Sequence, residues 1–169
     1  MKDFDYTKLS SIYTIKRIEE SNYEDILKLY KSNPQYFSYF GKEPTIETVK
    51  QDAYSLPKDG TLNNKYYLAY YDPECIAVLD LYLGYPDEET AWIGLLMIRK
   101  DLQGLSYGSE ILRDILDYLT ECGFTWVSLA YFKDNKQAEK FWQRNWFVPK
   151  HRIEKYDDKE FIKMIRGLQ

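Results

Sequence analysis

The chain has 169 residues, 44% hydrophobic and 30% charged, with a net charge of −4 and a sequence pI of about 5.2. That balance fits one globular domain spanning 1–169 with its own core, and it excludes the strongly basic surface of a nucleic-acid binder. No run approaches the roughly 20 apolar residues that cross a bilayer, and His151, Cys75 and Cys122 lack metal-ligand spacing, so neither membrane nor metal is expected.

In chain order, the start "MKDFDYTKLSSIYTIKR" scatters its charges and has no apolar core, unlike a signal peptide. The expected setting is cytoplasmic, with both thiols reduced. "IYTIKRI" (12–18) alternates and is β-branched, which predicts a first strand. Ser21 and Glu24 have capping-box spacing and open a helix that runs to about Lys31. "NPQYFSYFG" (33–41) reads as an aromatic-rich loop, and 44–57 as a helix that starts at Pro44 and Thr45 and stops at Pro57. Strands follow at 65–72 and 75–85, joined by "PE", and then the most apolar run of all, "TAWIGLLMI" (90–98), as a central strand. A helix with the stripe Ile111, Leu112, Ile115, Leu116 and Leu119 comes next, and Gly123 is placed to end it. A strand at 124–132, a short helix at 134–145 and two strands at 147–156 and 160–167 complete an α+β order with a mixed sheet.

The junction "QGLSYGS" (103–109) places two of the eight glycines at the mouth of a helix. A helix start leaves unpaired amides and partial positive charge, a natural anion site. Gly104 and Gly108 remove two Cβ atoms there, and Ser106 and Ser109 add hydroxyls. The pattern is neither the phosphate-loop nor the dinucleotide fingerprint. Two readings stand on these residues alone: a phosphate cradle at the carboxyl end of an apolar strand, or a tight turn that permits close helix–sheet packing.

A second segment, "NKQAEKFWQRNWF" (135–147), bears on that choice. Together the two segments resemble the GNAT family of N-acyltransferases, which use acetyl-coenzyme A. The family's first motif is an apolar strand, a short linker, then Q/R-x-x-G-x-G/A opening a helix. It corresponds to "LLMIRKDLQGLSYGSEIL", with Gln103 and Gly108 in their places. The second motif is Asn-x-x-Ala, an aromatic pair, then Gly-Phe; here stand Asn135, Ala138, Phe141, Trp142, Trp146 and Phe147. The element order is also similar over most of the chain, and "YPDEETAWIGLLMI" (85–98) resembles a bacterial branch of the family.

The resemblance implies a mixed, mostly antiparallel central sheet flanked by about four helices. It implies acetyl transfer from acetyl-CoA, without a metal, to a primary amine of a small molecule or amino acid-like acceptor. The acceptor would attack directly while both substrates are bound. It further implies that amides of Gln103, Gly104, Leu105, Ser106, Tyr107, Gly108 and Ser109 hold the pyrophosphate. Backbone groups of Leu96, Met97 and Ile98 would pair with the pantetheine arm, and an amide there, assigned to Met97, would polarise the thioester carbonyl. Asn135 would sit beside the cofactor, or serve as a helix N-cap, or both. Lys133, Lys136 and Lys140 would lie near the 3′-phosphate or on a solvated helix face. Homodimers are common among such proteins.

Departures from the family pattern bear on the chemistry. Ser106 stands where the family prefers glycine, and a serine there suits right-handed backbone. Trp146 replaces a glycine at a turn where the family pattern implies positive φ; either a bulky residue is strained there or the turn is built differently. Trp142 stands where relatives often carry a tyrosine acid, and it reads as packing, because an indole N–H is no practical acid. Trp92 occupies the place of a strand glutamate that serves some relatives as base. Asp80, flanked by apolar residues in "AVLDLYL", is the general-base candidate, with a solvated strand face as its alternative. Glu88, Glu89 and His151 are weaker candidates. Tyr36, Phe37, Tyr39 and Phe40 are read as walls of an acceptor pocket, with some of them turned into the core. A non-catalytic acyl-CoA sensor on the same fold is the alternative function, and a tyrosine-rich protein-binding module is a third.

Overall fold

The computed structural model describes residues 3–169, without the side chains of His151 and Arg152. Alternating apolar segments form β1 (Thr14–Arg17), β2 (Lys65–Tyr71), β3 (Cys75–Leu83), β4 (Thr90–Ile98), β5 (Trp126–Phe132), β6 (Val148–Tyr156) and β7 (Lys159–Gly167). They make one seven-stranded sheet in the order β1-β2-β3-β4-β5-β7-β6. The β4–β5 pair is parallel and the other five pairs are antiparallel. Five α-helices flank it: α1 (Tyr23–Lys31), α2 (Pro34–Ser38), α3 (Ile46–Tyr54), α4 (Tyr107–Glu121) and α5 (Lys136–Arg144).

Strand alternation sends side chains to both faces of the sheet. Leu68, Leu79, Leu81, Ile93 and Leu129 meet the buried stripe of α4 and Trp142 of α5 on one face. Tyr67, Ala69, Val78 and Met97 meet Ile26, Leu29, Tyr30 and Val49 of α1 and α3 on the other. Cys122 belongs to the first core and Cys75 to the second; both thiols are buried and free.

Several local expectations are corrected. The stretch 33–41 is not all loop, because Pro34 starts the short helix α2, where its missing N–H costs nothing. The Ser21–Glu24 capping box does not form. Asn22 instead accepts from the Glu19 amide at 2.8 Å and donates to the Arg17 carbonyl at 3.0 Å, so α1 follows a 3₁₀ turn at Glu20–Asn22. The first strand is shorter than 12–18, because the Ser10 hydroxyl accepts from the amides of Ile12 (3.1 Å) and Tyr13 (3.0 Å) and bends the chain before it.

Helices α4 and α5 end alike. After α4, Gly123 (φ 96°) takes the left-handed position, its amide donates to the Thr120 carbonyl, and Phe124 donates to the Leu119 carbonyl. After α5, Trp146 (φ 68°) takes that position and donates to the Gln143 carbonyl, while Phe147 donates to Trp142. Both are Schellman ends, and the Trp142–Phe147 rings supply the apolar contact of the second, 5.1 Å apart. A tryptophan therefore holds a glycine's conformation, with the residue 78% exposed and little to offset the strain. Trp146→Gly is expected to raise stability by about 0.5–1 kcal/mol, the left-handed cost less the entropy of the added glycine. Urea unfolding measures it; a lower midpoint would show that the indole makes compensating contacts.

Candidate active site

Strands β4 and β5 pair only from Thr90↔Trp126 to Ile93↔Leu129. On the other side β4 stays paired to β3 as far as Ala77↔Ile98, with a bulge that leaves Gly94 between the pairs Leu81↔Ile93 and Asp80↔Leu95. A bulge bends its strand and sharpens its twist. Beyond Ile93 the strands part, and the gap is a cleft of about 850 Å³. Leu95, Leu96, Met97 and Ile98 line one side of it, and Ala130, Tyr131 and Phe132 the other.

At one end of the cleft stands the glycine-rich junction. Gly104 and Ser106 are left-handed (φ 76° and 71°), and Ser106 is the N-cap of α4. This corrects the right-handed expectation for Ser106: the serine adopts the glycine conformation itself. Among the described residues, no acceptor meets the amides of Gly104, Leu105, Ser106, Tyr107, Gly108 or Ser109. Six successive free amides at a helix start form an anion cradle. Gly108 is needed for space as well, since a Cβ there would lie 3.1 Å from Phe141 Cε2 and 3.4 Å from Ile98 Cγ1. The phosphate and packing readings of this junction are therefore compatible. The side chain of Leu105 is exposed, leaving only its amide to the cradle.

Gln103 braces the site through its side chain. Its Nε2 donates to the Ile98 carbonyl (2.8 Å) and to Asn33 Oδ1 (2.6 Å), and its Oε1 accepts from Gln137 (3.0 Å). Asn33 also donates to the Ile98 carbonyl at 3.2 Å, so that carbonyl is occupied by the protein. Asn135 caps α5, accepting from the Ala138 amide at 3.1 Å, and lines the cleft as well. Of the lysines, Lys133 pairs with Glu160 and Lys136 with Glu139, while Lys140 lines the cleft with Lys100 and Arg144.

At the other end, Tyr36, Tyr39 and Phe40 line the cleft. Phe37 does not, a correction with a simple cause: its ring is buried against Tyr30, centroids 5.0 Å apart. Residues far from 33–41 in the chain close this wall. Phe132 packs on Tyr39 (4.9 Å) and Phe161 on Phe132 (5.9 Å), so β5 and β7 complete an aromatic enclosure. Trp142 is buried between Phe141 and Phe147, as packing. Tyr131 is a cleft-lining phenol that the sequence reading passed over; burial raises its pKa.

Asp80 is not on a solvated face. Its carboxylate meets the Lys65 ammonium at 3.1 Å, with side-chain exposures of 15% and 4%. Lys65 also donates to the Ser55 carbonyl at 2.7 Å. Asp80 does not itself line the cleft but stands directly behind Gly94, where a Cβ would lie 3.0 Å from Asp80 Oδ2. Burial pushes the Asp80 carboxyl up to about 6, against the pull of Lys65. His151 lies outside the described side chains.

The sequence matches the family model described as the acetyltransferase (GNAT) family over residues 23–146. The chain belongs to the GNAT acetyltransferase family. The donor this family uses is acetyl-CoA, and the free amides and parted strand of this GNAT site fit that donor's phosphates and amide-bearing arm. Among solved structures, an acetyltransferase from Thermus thermophilus is similar at TM-score 0.70 and 24% identity, covering 92% of this chain and 97% of its own. A spermidine N-acetyltransferase from Vibrio cholerae, solved with CoA and spermine, gives 0.68 and 18%, covering 94% and 96%. The PaiA N-acetyltransferase from Thermoplasma acidophilum, solved with coenzyme A, gives 0.65 and 18%, covering 92% and 98%. No curated protein matches the sequence closely enough to count as a relative.

The buried Asp80 of this GNAT protein has a consequence for stability. Its folded pKa lies above the ordinary 3.8. Between those values the folded state keeps a proton that the unfolded chain has released, so stability declines as pH rises from about 4 to about 6. Asp80→Asn is expected to make that decline shallower, as read by urea unfolding across the interval. Equal slopes in both proteins would show that Asp80 ionises normally.

Proposed function

We propose that the protein transfers an acetyl group from acetyl-CoA to a primary amine of a small-molecule or amino acid-like acceptor, by direct attack with both substrates in the cleft. The observation that carries this reading is the run of six free amides, 104–109, opening onto a strand edge with no neighbour. Amides at a helix start suit a pyrophosphate, and Lys100, Lys140 and Arg144 add positive charge along the same cleft. The unpaired edge of β4 at Leu96 suits the amides of a pantetheine arm, and in this reading the Leu96 amide polarises the thioester carbonyl; Met97, the residue expected for that role, turns its amide to Val78 of β3, in step with the Arg99 amide on the Ile76 carbonyl. The bound donor supplies an activated acetyl thioester. Asp80, ionised above pH 6 and set behind Gly94, is the base in this reading, and it draws the proton from the acceptor amine through a bridging water rather than by direct contact. Tyr131 is the protonated hydroxyl that the cleft offers where Trp142 cannot serve.

Isothermal titration of CoA and acetyl-CoA tests the donor site. Both are expected to bind the wild type, and Gly108→Val, whose side chain must displace Phe141, is expected to weaken them by roughly tenfold or more. No binding to folded wild-type protein would end this reading. The burial of Trp142 at the acid position favours a second one, a non-catalytic acyl-CoA sensor on the same fold. A thiol-release screen over amines, amino acids and polyamines separates the two, since turnover with any acceptor rejects the sensor.

A further inference from the structure

The charged and the aromatic side chains of the cleft are sorted to opposite ends. Lys100, Lys140 and Arg144 are its charged lining residues, and among the described residues no carboxylate lines it. Lys100 opens the 3₁₀ turn that leads into Gln103. Lys140 and Arg144 share a face of α5 with Gln137, which donates to Gln103, and with Phe141, which abuts Gly108. All three cations therefore stand at the cradle end.

The far end is a run of rings. Between centroids, Tyr36 and Phe40 are 5.4 Å apart, Phe40 and Phe132 6.5 Å, Tyr39 and Phe132 4.9 Å, and Phe132 and Phe161 5.9 Å, and all five line the cleft. Ring faces can hold a cation, but Lys159 already takes that place. Its Nζ donates to the Tyr39 carbonyl at 2.6 Å and lies 5.8 Å from the Phe40 centroid and 6.0 Å from that of Phe132. Asp80, behind Gly94, is held by Lys65 at 3.1 Å, and Asp52 of α3 accepts from the Tyr30 hydroxyl at 2.6 Å; neither lines the cleft. An ammonium brought to the aromatic end would lose its water, meet no lining anion and face the charge of Lys159, which is costly.

We infer that the acceptor is an uncharged aromatic amine, with its nitrogen bonded directly to a ring, and that it enters the cleft as the free base. The inference rests on the acetyl-transfer reading and narrows it. The lone pair of such a nitrogen is delocalised into the ring, so at neutral pH it brings no charge to desolvate. A flat ring also fits edge and face contacts with Tyr36, Phe40, Phe132 and Phe161. An alkylamine with a lysine-like pKa of about 10.4 is less than about one part in a thousand free base at pH 7. Polyamines and α-amino acids carry such ammonium groups, and both are disfavoured.

The amine enters as Ar–NH2. Its lone pair forms the C–N bond to the acetyl carbonyl carbon, and the C–S bond breaks with its electron pair on sulfur. The nitrogen sheds one proton through the bridging water to Asp80, which passes it to the water of the cleft, and the thiolate takes one up from that water. Amide and thiol are the products, with no net release of a proton.

The test uses the wild-type protein loaded with CoA and compares 4-methylaniline, 2-phenylethylamine and spermidine by calorimetry. At pH 7, 4-methylaniline is expected to bind at least about tenfold more tightly than either of the others, because nearly all of it is free base. Between pH 7 and 8, affinity for 2-phenylethylamine is expected to rise about tenfold, as its free base does, while that for 4-methylaniline stays level. Equal or tighter binding of 2-phenylethylamine or spermidine at pH 7, or a level affinity for 2-phenylethylamine across that interval, would overturn the inference, while CoA binding keeps the acetyl-transfer reading intact. Failure of CoA itself to bind would remove both.

Discussion

The site depends on the parting of β4 from β5. Parallel strands normally stay together because every backbone group needs a partner. Here the bulge at Gly94 turns β4 away after four paired residues, and the edge from Leu95 onward is left without a neighbouring strand. Such an edge tolerates water, but it is completed by a ligand that carries amides of its own. The same bulge removes a side chain from the cleft wall in front of Asp80, so one backbone irregularity both parts the strands and thins the wall before a buried charge.

The Ile98 carbonyl ties the two ends of the cleft together. Asn33, between α1 and α2, and Gln103, at the start of the cradle, both donate to it, and Gln137 of α5 reaches Gln103. The segment that leads into α2, the glycine-rich start of α4 and helix α5 therefore share one hydrogen-bonded node. A shift in any of them is felt by the others, which suits a reaction in which two substrates must be aligned before either reacts.

Much of this was legible in the residues. Periodicity located the strands and the long helices, and the two motif segments pointed to the cradle and to the capping role of Asn135. Asp80 stood out as a charge inside an apolar run, but its partner did not, because Lys65 looks like the solvated first residue of a strand. The hairpin register could have found it: Tyr67 faces Asp80 directly, which puts Lys65 diagonally across on the same face. Asp52 was hidden more deeply, since only the packing of α3 against α1 brings it to Tyr30. Phe161 joins the aromatic wall from far along the chain, through a strand order that local pattern does not encode. Ser106 and Trp146 illustrate the converse case, where tertiary context imposes a left-handed backbone on residues that resist it.

The last strand in the chain is not the last in the sheet: β7 lies between β5 and β6. During synthesis, with earlier segments emerging first, β5 keeps an open edge until residues 159–167 are available. That edge carries Leu129 and Tyr131, which become buried, and Phe132, whose neighbour Phe161 arrives with β7. The cleft consequently has only one finished wall while most of the chain already exists. Completion of the aromatic wall is a late event in the life of each molecule, and the interval before it is when this aromatic-rich edge is most exposed to pairing with the wrong strand.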